Sequence, residues 1–338
     1  MTQIFAHRGS KVDCPENTLA AFKKAIQVGC DGIEIDVHRT KDNHLVVIHD
    51  EAVDRTSNGS GLVRQLTLKQ IRMLDAGSWF HPAYFCEKIP TLEEVLNFLE
   101  EYGFQGTLNL EIKTNRYPYP KIEKQIAQTM QAKKRSFSHI YSSFNLFSLY
   151  VIRKHDPKAE LAYLMKFHPF HFWLAQQLKF IKTVHSHSSF YENQVTKRKN
   201  KKPFRLWTVN NDDDMKKFFL SGIEGIITDK PEEAVKEEVK EVQNTNKKRI
   251  LAVTACPTGI AHTYMAEAAL KEAGEKLGVD VKVETNGADG IKNNLTTNDI
   301  NEAVGIIVAA DKKVETARFN DRKVIVTSTA DAIKNAET

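Results

Sequence analysis

The 338-residue sequence contains no run of eighteen or more apolar residues, so a membrane-spanning helix is not expected. Its first residues, MTQIFAHRGS, lack a basic segment followed by an apolar one, which argues against a secretory leader. Cysteine is scarce: Cys14, Cys30, Cys86 and Cys256 are scattered, with no CxxC pair. That excludes a disulfide scaffold, disfavours a zinc finger and makes a reducing cytoplasm the simple expectation. No repeat of fixed period is present. The remainder is ordinary for a globular protein, with 41% hydrophobic and 27% charged residues, too apolar for a disordered chain.

The formal charge of +5 conceals an asymmetry. From Ile250 onward there are 10 Lys+Arg against 13 Asp+Glu, a net of −3, which leaves +8 on residues 1–249. Opposite charge on two pieces points to two domains with different partners. The length agrees, being too great for one ordinary domain. The boundary is expected in the stretch EEAVKEEVKEVQNTNKKR, which is charged, has no aromatic residue, and reads as an exposed helix fraying into a linker at 236–248. The domains are then 1–235 and 249–338.

The first domain alternates apolar runs with helical patterns. Candidate strands are QIFAH, GIEIDV, LVVIHD, TLNLEIK, HIYSSF, ELAYLM, KTVHSH, FRLWTVN and GIITD. Helices are expected after Asn17 and Thr91, read as N-caps, and around Asp212, with Gly29, Gly103 and Gly222 as stops. Alternation of this kind implies a parallel sheet. Nine runs are one more than a (β/α)8 barrel needs, so one is expected to be peripheral. Pattern alone fits an open doubly wound sheet as well. In the second domain, ILAVTA, DVKVET, VGIIVAA and KVIVTST read as strands of a small parallel α/β, Rossmann-like sheet.

The polar residues at the strand ends carry the chemistry. His7 and Arg8 follow IFA, His49 and Asp50 follow LVVI, Glu34 and Asp36 share one face of GIEIDV, and Glu111 and Lys113 share one face of LNLEIK. Charge on buried parallel strands is costly unless it serves a purpose. In a barrel the C-terminal strand ends form the active-site rim. Three carboxylates suit a hard divalent ion, arginine offers a fork to phosphate, and two histidines can divide acid and base roles. A lone ExD or strand-end histidine is ordinary; the joint occurrence at four successive strand ends is not.

The blocks AHRGSKVDCPENTLAAF, GIEIDVHRTKDNHLVVIHD, DRTSNGSGLV, AGSWF, KIPTLEEVL, LNLEIK, LWTVN and GIEGIITDKP resemble the glycerophosphodiester phosphodiesterase family over about residues 3–235. The resemblance implies a TIM-type barrel that hydrolyses glycerophosphodiesters to glycerol 3-phosphate and an alcohol. It implies His7 and His49 as the acid/base pair, and Arg8 with Lys113 on the phosphate. It also implies Glu34, Asp36 and Glu111 as ligands of one divalent ion, Mg2+ or Ca2+. Trp207 matches a position near the substrate pocket, and Glu16 reads as a supporting partner. Water and a neighbouring glycerol hydroxyl both remain open as nucleophile. TKRKNKK is expected to be a solvated loop, with peripheral membrane contact as its other reading; without interleaved aromatics it does not support nucleic-acid binding. FHPFHFWLAQQL is expected to be a helix on the barrel, with a place at the substrate mouth or in lipid as the alternatives.

In CPTGIAHTYMAEAAL, Cys256 sits on a turn between a strand and a helix N-terminus, where free backbone N–H groups favour an anion. Thr258, Gly259, His262 and Thr263 would shape that cradle. This block, with VKVETNGADGIKNNLT, IIVAADKKVETARF and KVIVTSTADAIKN, resembles the fructose-family enzyme IIB domain of the bacterial phosphotransferase system over about residues 249–336. The resemblance implies that Cys256 accepts phosphate from a phosphorylated IIA protein and passes it to sugar on a membrane IIC permease. Asp311 and Arg318 are read as surface or structural residues. The alternative for the whole chain is a IIB component with a regulatory or headgroup-binding barrel.

Overall fold

The computed structural model describes residues 2–166, 168–191, 201–246, 248–256, 260–287, 290–319 and 322–337. The chain divides into two compact units, Met1–Val239 and Lys240–Thr338.

In the first unit the strands are β1 (Gln3–His7), β2 (Gly32–Arg39), β3 (Leu45–Val47), β4 (Thr107–Ile112), β5 (Ser138–Ser143), β6 (Glu160–Met165), β7 (Thr183–His187), β8 (Phe204–Trp207) and β9 (Gly225–Thr228). Eight of them pair in parallel, and β1 bonds to both β2 and β9, so the sheet closes into a barrel. Closure settles the choice that the pattern left open. The ninth run, β3, pairs antiparallel with β2 outside the ring, as the count required. Helices α1 (Leu19–Val28), α2 (Leu68–Met73), α3 (Leu92–Glu101), α4 (Ile122–Gln131), α5 (Leu146–His155), α6 (Pro169–Gln177), α7 (Ser188–Phe190) and α8 (Asp212–Leu220) belong to the unit, and α9 (Pro231–Asn246) begins in it and runs past its end at Val239.

Alternation along the strands decides what faces where. Ile33, Ile35 and Val37 of β2 join Leu108, Leu110 and Ile112 of β4 in the main core beneath the helices. Glu34 and Asp36 therefore point the other way, into the barrel. There Phe5, Ile140, Ala162 and Ile227 form a smaller apolar plug under Trp207. Gly32 lies beside that plug: a Cβ on it would stand 2.3 Å from the Phe5 ring, so only glycine admits the ring here. The segment between β3 and α3 has its own small core of Val46, Ile48, Val53, Val63, Ile71, Ala76 and Ile89. It is thus a folded excursion rather than a loose loop.

Thr91 caps α3 with a reciprocal bond pair to Glu94, and Gly29 stops α1 with φ +86°. Asn17 is not the cap of α1. Thr18 accepts the Ala21 N–H, whereas Asn17 adopts φ +56° and turns its amide toward β2. Most of the stretch expected as a linker is helix, since α9 runs to Asn246, supported by a Glu232–Lys236 pair one turn apart. In the basic run, Lys197, Arg198 and Lys199 lie outside the described residues. Lys202 donates to the Ala175 and Leu178 carbonyls at 2.6 Å each, closing the end of α6. Among the described residues no helix is long and apolar enough to cross a membrane.

The second unit holds β10 (Arg249–Ala255), β11 (Asp280–Gly287), β12 (Gly290–Lys292), β13 (Gly305–Ala310) and β14 (Val324–Thr327), with α10 (Ile260–Leu277), α11 (Thr297–Glu302) and α12 (Thr329–Lys334). The strand order is β12-β11-β10-β13-β14. The four expected strands, β10, β11, β13 and β14, pair in parallel, and a fifth that the pattern did not show, β12, returns antiparallel on β11 and makes the sheet mixed. That strand is three exposed residues long and leaves no alternation to read. Ala266, Leu270 and Ala332 cover one face of the sheet, and Leu295, Ile300 and Phe319 the other.

Glu284 of β11 is fully buried and accepts a fork from Arg318, with Nη1 at 3.0 Å, as well as the Leu295 N–H at 2.9 Å. Arg318 is thus structural. Replacing it with leucine strands a buried carboxylate and is expected to destabilise this unit by about 3–5 kcal/mol. Calorimetry would show this as an early transition; an unmoved transition would mean that the Leu295 N–H and Asn286 suffice.

Candidate active site

At the C-terminal ends of the barrel strands lies a cavity of about 690 Å3. Its lining includes His7, Arg8, Glu34, His49, Glu111, Lys113 and Trp207. Seven of the residues singled out in the barrel sequence therefore meet at one place. Two others stand directly behind them: Asp36, 1% exposed, and Glu16, bonded to Arg8.

One ligand oxygen from each of Glu34, Asp36 and Glu111 lies within 4.8 Å of the others, and all three residues are buried. Parallel register explains the cluster: Glu111 of β4 sits opposite Asp36 of β2, and Glu34 opposite Asn109. Burial, together with the charges of Asp36 and Glu111, pushes the Glu34 carboxyl well above its ordinary range. Burial also raises Glu111, to about 7, against the pull of Lys113. For Asp36 burial works upward too, but Lys113, His49 and Arg8 outweigh it and hold the carboxyl well below its usual value. Lys113 Nζ stands 3.0 Å from Glu111 and 3.4 Å from Asp36. Apart from this ammonium, Asp36 Oδ1 and Glu111 Oε1 have no partner among the described residues. Three crowded carboxylates with unspent oxygen lone pairs fit a hard divalent cation.

Arg8 adopts φ +59°. This turn aims its N–H at Glu34 (3.1 Å) and its side chain at Glu16 (2.8 Å) and Asp36 (3.5 Å). Asn17 donates its amide to Asp36 at 2.9 Å.

Both histidines are held at Nδ1 by a carboxylate at 2.6 Å: His7 by Asp229, and His49 by Asp50. Nδ1 donates to the carboxylate, which leaves each Nε2 for the cavity. Asp229 is itself fixed by Lys11 at 3.0 Å and Asn210 at 2.8 Å. Burial lowers both imidazoles from the ordinary histidine value. Asp229 follows β9 directly, as Arg8 follows β1, so GIITD carries the same strand-end signal although no role was expected of its last residue. Asn109 also lines the cavity, with both amide atoms buried and unpartnered.

Trp207 meets Phe144 edge-on at 5.7 Å and donates its indole N–H to the His185 carbonyl at 3.0 Å, so it serves the wall and the plug together. The FHPFHFW stretch divides its roles. Phe172 and Ala175 of α6 pack on the barrel, while His168 and His171 reach the cavity, His171 against the Tyr163 hydroxyl.

In the second unit Cys256 is buried at the end of β10, and α10 starts at Ile260. Thr258 and Gly259 lie outside the described residues. Thr263 is fully buried and His262 exposed in the first turn of α10. Asp311 donates its N–H to the Ala255 carbonyl at 2.8 Å and turns its carboxylate to Thr329. It therefore braces the sheet end beside Cys256.

Residues 7–233 match the Glycerophosphoryl diester phosphodiesterase family. Residues 251–338 match the family described as PTS system, Lactose/Cellobiose specific IIB subunit. A glycerophosphodiester phosphodiesterase of Caldanaerobacter subterraneus is 40% identical over 239 residues, covering 68% of this chain and 95% of that one. The fructose-specific EIIABC component of a Bacillus subtilis PTS system is 62% identical over 79 residues, 23% of this chain and 12% of that one. Among solved structures, a phosphodiesterase of Oleispira antarctica in complex with the product sn-glycerol-3-phosphate is 28% identical, with a TM-score of 0.62, covering 71% of this chain and 97% of that one.

Proposed function

The chain belongs to the glycerophosphoryl diester phosphodiesterase family through residues 7–233, and from that premise we propose that its barrel hydrolyses glycerophosphodiesters to glycerol 3-phosphate and an alcohol. One observation carries the reading. Two imidazoles oriented by carboxylates, an arginine and a lysine share a cavity with Glu34 and Glu111, and Asp36 clusters with those two carboxylates directly behind the lining.

In this reading Glu34, Asp36 and Glu111 hold one divalent ion, Mg2+ or Ca2+. Once bound, the ion supplies positive charge to the diester phosphate and to the charge that develops on it. Arg8 and Lys113 hold the phosphate oxygens. Of His7 and His49, one takes the proton of the attacking water or neighbouring glycerol hydroxyl and the other gives a proton to the leaving alcohol oxygen; by the glycerol route, water then opens the resulting cyclic phosphate to glycerol 3-phosphate. The P–O bond to the alcohol breaks as the new P–O bond forms. Trp207 and Phe144 bound the space beside the phosphate.

The second unit would act as a IIB phosphocarrier in the cytoplasm, with Cys256 as the phosphoryl acceptor between a IIA protein and a membrane IIC permease. The 62% identity to a fructose-specific component favours fructose-type sugar transfer.

The test uses the full chain, glycerophosphocholine, and Mg2+ or Ca2+, with glycerol 3-phosphate as readout. Product is expected with the ion, at background after chelation, and again once the ion is restored. No product with any divalent ion would overturn the hydrolase reading.

A further inference from the structure

Arg55 lies in the folded excursion between β3 and α3, outside the cavity lining, with its side chain 44% exposed. Its guanidinium nevertheless holds two carboxylates at once. Nε and Nη2 donate to Asp50 at 2.6 and 3.2 Å, and Nη1 and Nη2 donate to Glu16 at 2.9 and 2.8 Å. Beyond Asp50 stands His49 Nδ1 at 2.6 Å; beyond Glu16 stands Arg8 Nη1 at 2.8 Å. We propose that Arg55 is a positioning residue that fixes, through Asp50 and Glu16, the His49 imidazole and the Arg8 guanidinium relative to each other. Its consequence for turnover rests on the hydrolase reading, whereas the geometry itself does not.

Nothing else described bonds the Asp50 carboxylate except His49, the group it has to orient. An unpinned Asp50, half-exposed and next to His49 in the chain, would swing to water. The main chain of His49 has a separate anchor, because buried His38 donates Nε2–H to the His49 carbonyl at 3.2 Å. Only the ring therefore depends on Arg55. On the other side, Glu16 is 8% exposed and shared between two arginines. With Arg55 gone, that acid binds Arg8 alone and draws it from the shared position. Lysine cannot replace Arg55, since a point charge cannot serve two carboxylates with parallel N–H pairs. The excursion does not need the side chain to fold: Val53 is buried beside it, and Ser57 and Gly61 bond to the Val53 backbone.

The experiment compares the full chain with Arg55→Ala and Arg55→Lys on glycerophosphocholine with a divalent ion. In Arg55→Ala, kcat is expected to fall about 10- to 100-fold. Guanidinium chloride at millimolar concentration is expected to restore part of it, because the vacated socket opens to solvent. Equal sodium chloride should not, and Arg55→Lys should stay low. In parallel, long-range 1H–15N spectra of the histidine rings read the His49 tautomer without turnover. Nδ1-protonated His49 is expected in the parent chain, a mixture in Arg55→Ala, and recovery with guanidinium. The proposal falls if Arg55→Ala keeps kcat within about twofold, or if its His49 ring shifts equal the parent's. If the parent chain cleaves no diester, the hydrolase reading falls, and the ring spectra alone decide the role of Arg55.

Discussion

Replacing His7 with alanine is expected to lower kcat/KM for glycerophosphocholine by about 10²- to 10⁴-fold, the usual contribution of one positioned acid or base. The size of the effect follows from how completely the ring is committed. Its Nδ1 is tied to Asp229 at 2.6 Å, Asp229 is tied to Lys11 and Asn210, and the only part of the imidazole left is the edge facing the cavity. The cations beside it cannot stand in as a base, since Lys113 and Arg8 are both engaged by carboxylates. The loss should appear mainly in kcat, because the phosphate-holding groups remain. The pH profile gives a second check. Burial and the Arg8 charge depress the His7 pKa below the ordinary 6.5. A depressed value means that the ring is neutral, and competent as a base, down to a lower pH than a free histidine would be. A limb of the kcat/KM profile with its midpoint below 6.5 is therefore expected, the acid limb where His7 is the base and the alkaline limb where it is the acid, and it should be absent in His7→Ala. A variant with parent-like kcat/KM would remove His7 from the chemistry.

The barrel was legible because its strands end in residues that have no business in a core. The alternation rule that puts Ile33 and Ile35 under the helices also puts Glu34 and Asp36 inside, and one strand register brings Glu111 opposite Asp36. What escaped reading lacks periodicity. Arg55 sits in an excursion whose shape is set by seven apolar residues spread over 44 positions, and no spacing rule links it to Glu16, 39 residues earlier. Asn17 was misread because asparagine serves equally as a cap and as a left-handed turn residue. Only the tertiary position of Asp36, 19 residues away, favours the second use. Thr18, one residue on, then takes the cap. The antiparallel β12 is too short and too exposed for alternation to show. Local rules thus found the groups that must face the cavity, and missed the groups that hold them from the side.

Cys256→Ser is expected to abolish phosphoryl labelling of the chain by phosphoenolpyruvate, the general carriers and a IIA protein, with the acid-stable, iodine-sensitive phosphate of the parent absent. In the proposed transfer the N–P bond of a IIA phosphohistidine would break, an S–P bond would form at Cys256, and the thiol proton would leave for the freed imidazole or solvent. The sulfur is suited to this as oxygen is not. Sulfur is intrinsically the stronger nucleophile of the two. The substitution is nearly isosteric, and Cys256 stands at the end of β10 beyond the last strand pairing, so the sheet beneath it should hold. Ala255 keeps its bond from Asp311, and Glu284 keeps Arg318, both independent of the sulfur. Diester hydrolysis should be unchanged in the same variant, because every group placed at the barrel cavity belongs to the other unit. Labelling that persists in Cys256→Ser would mean that the phosphoryl group rests on another residue, and the phosphocarrier assignment of this cysteine would fail even with the barrel fully active.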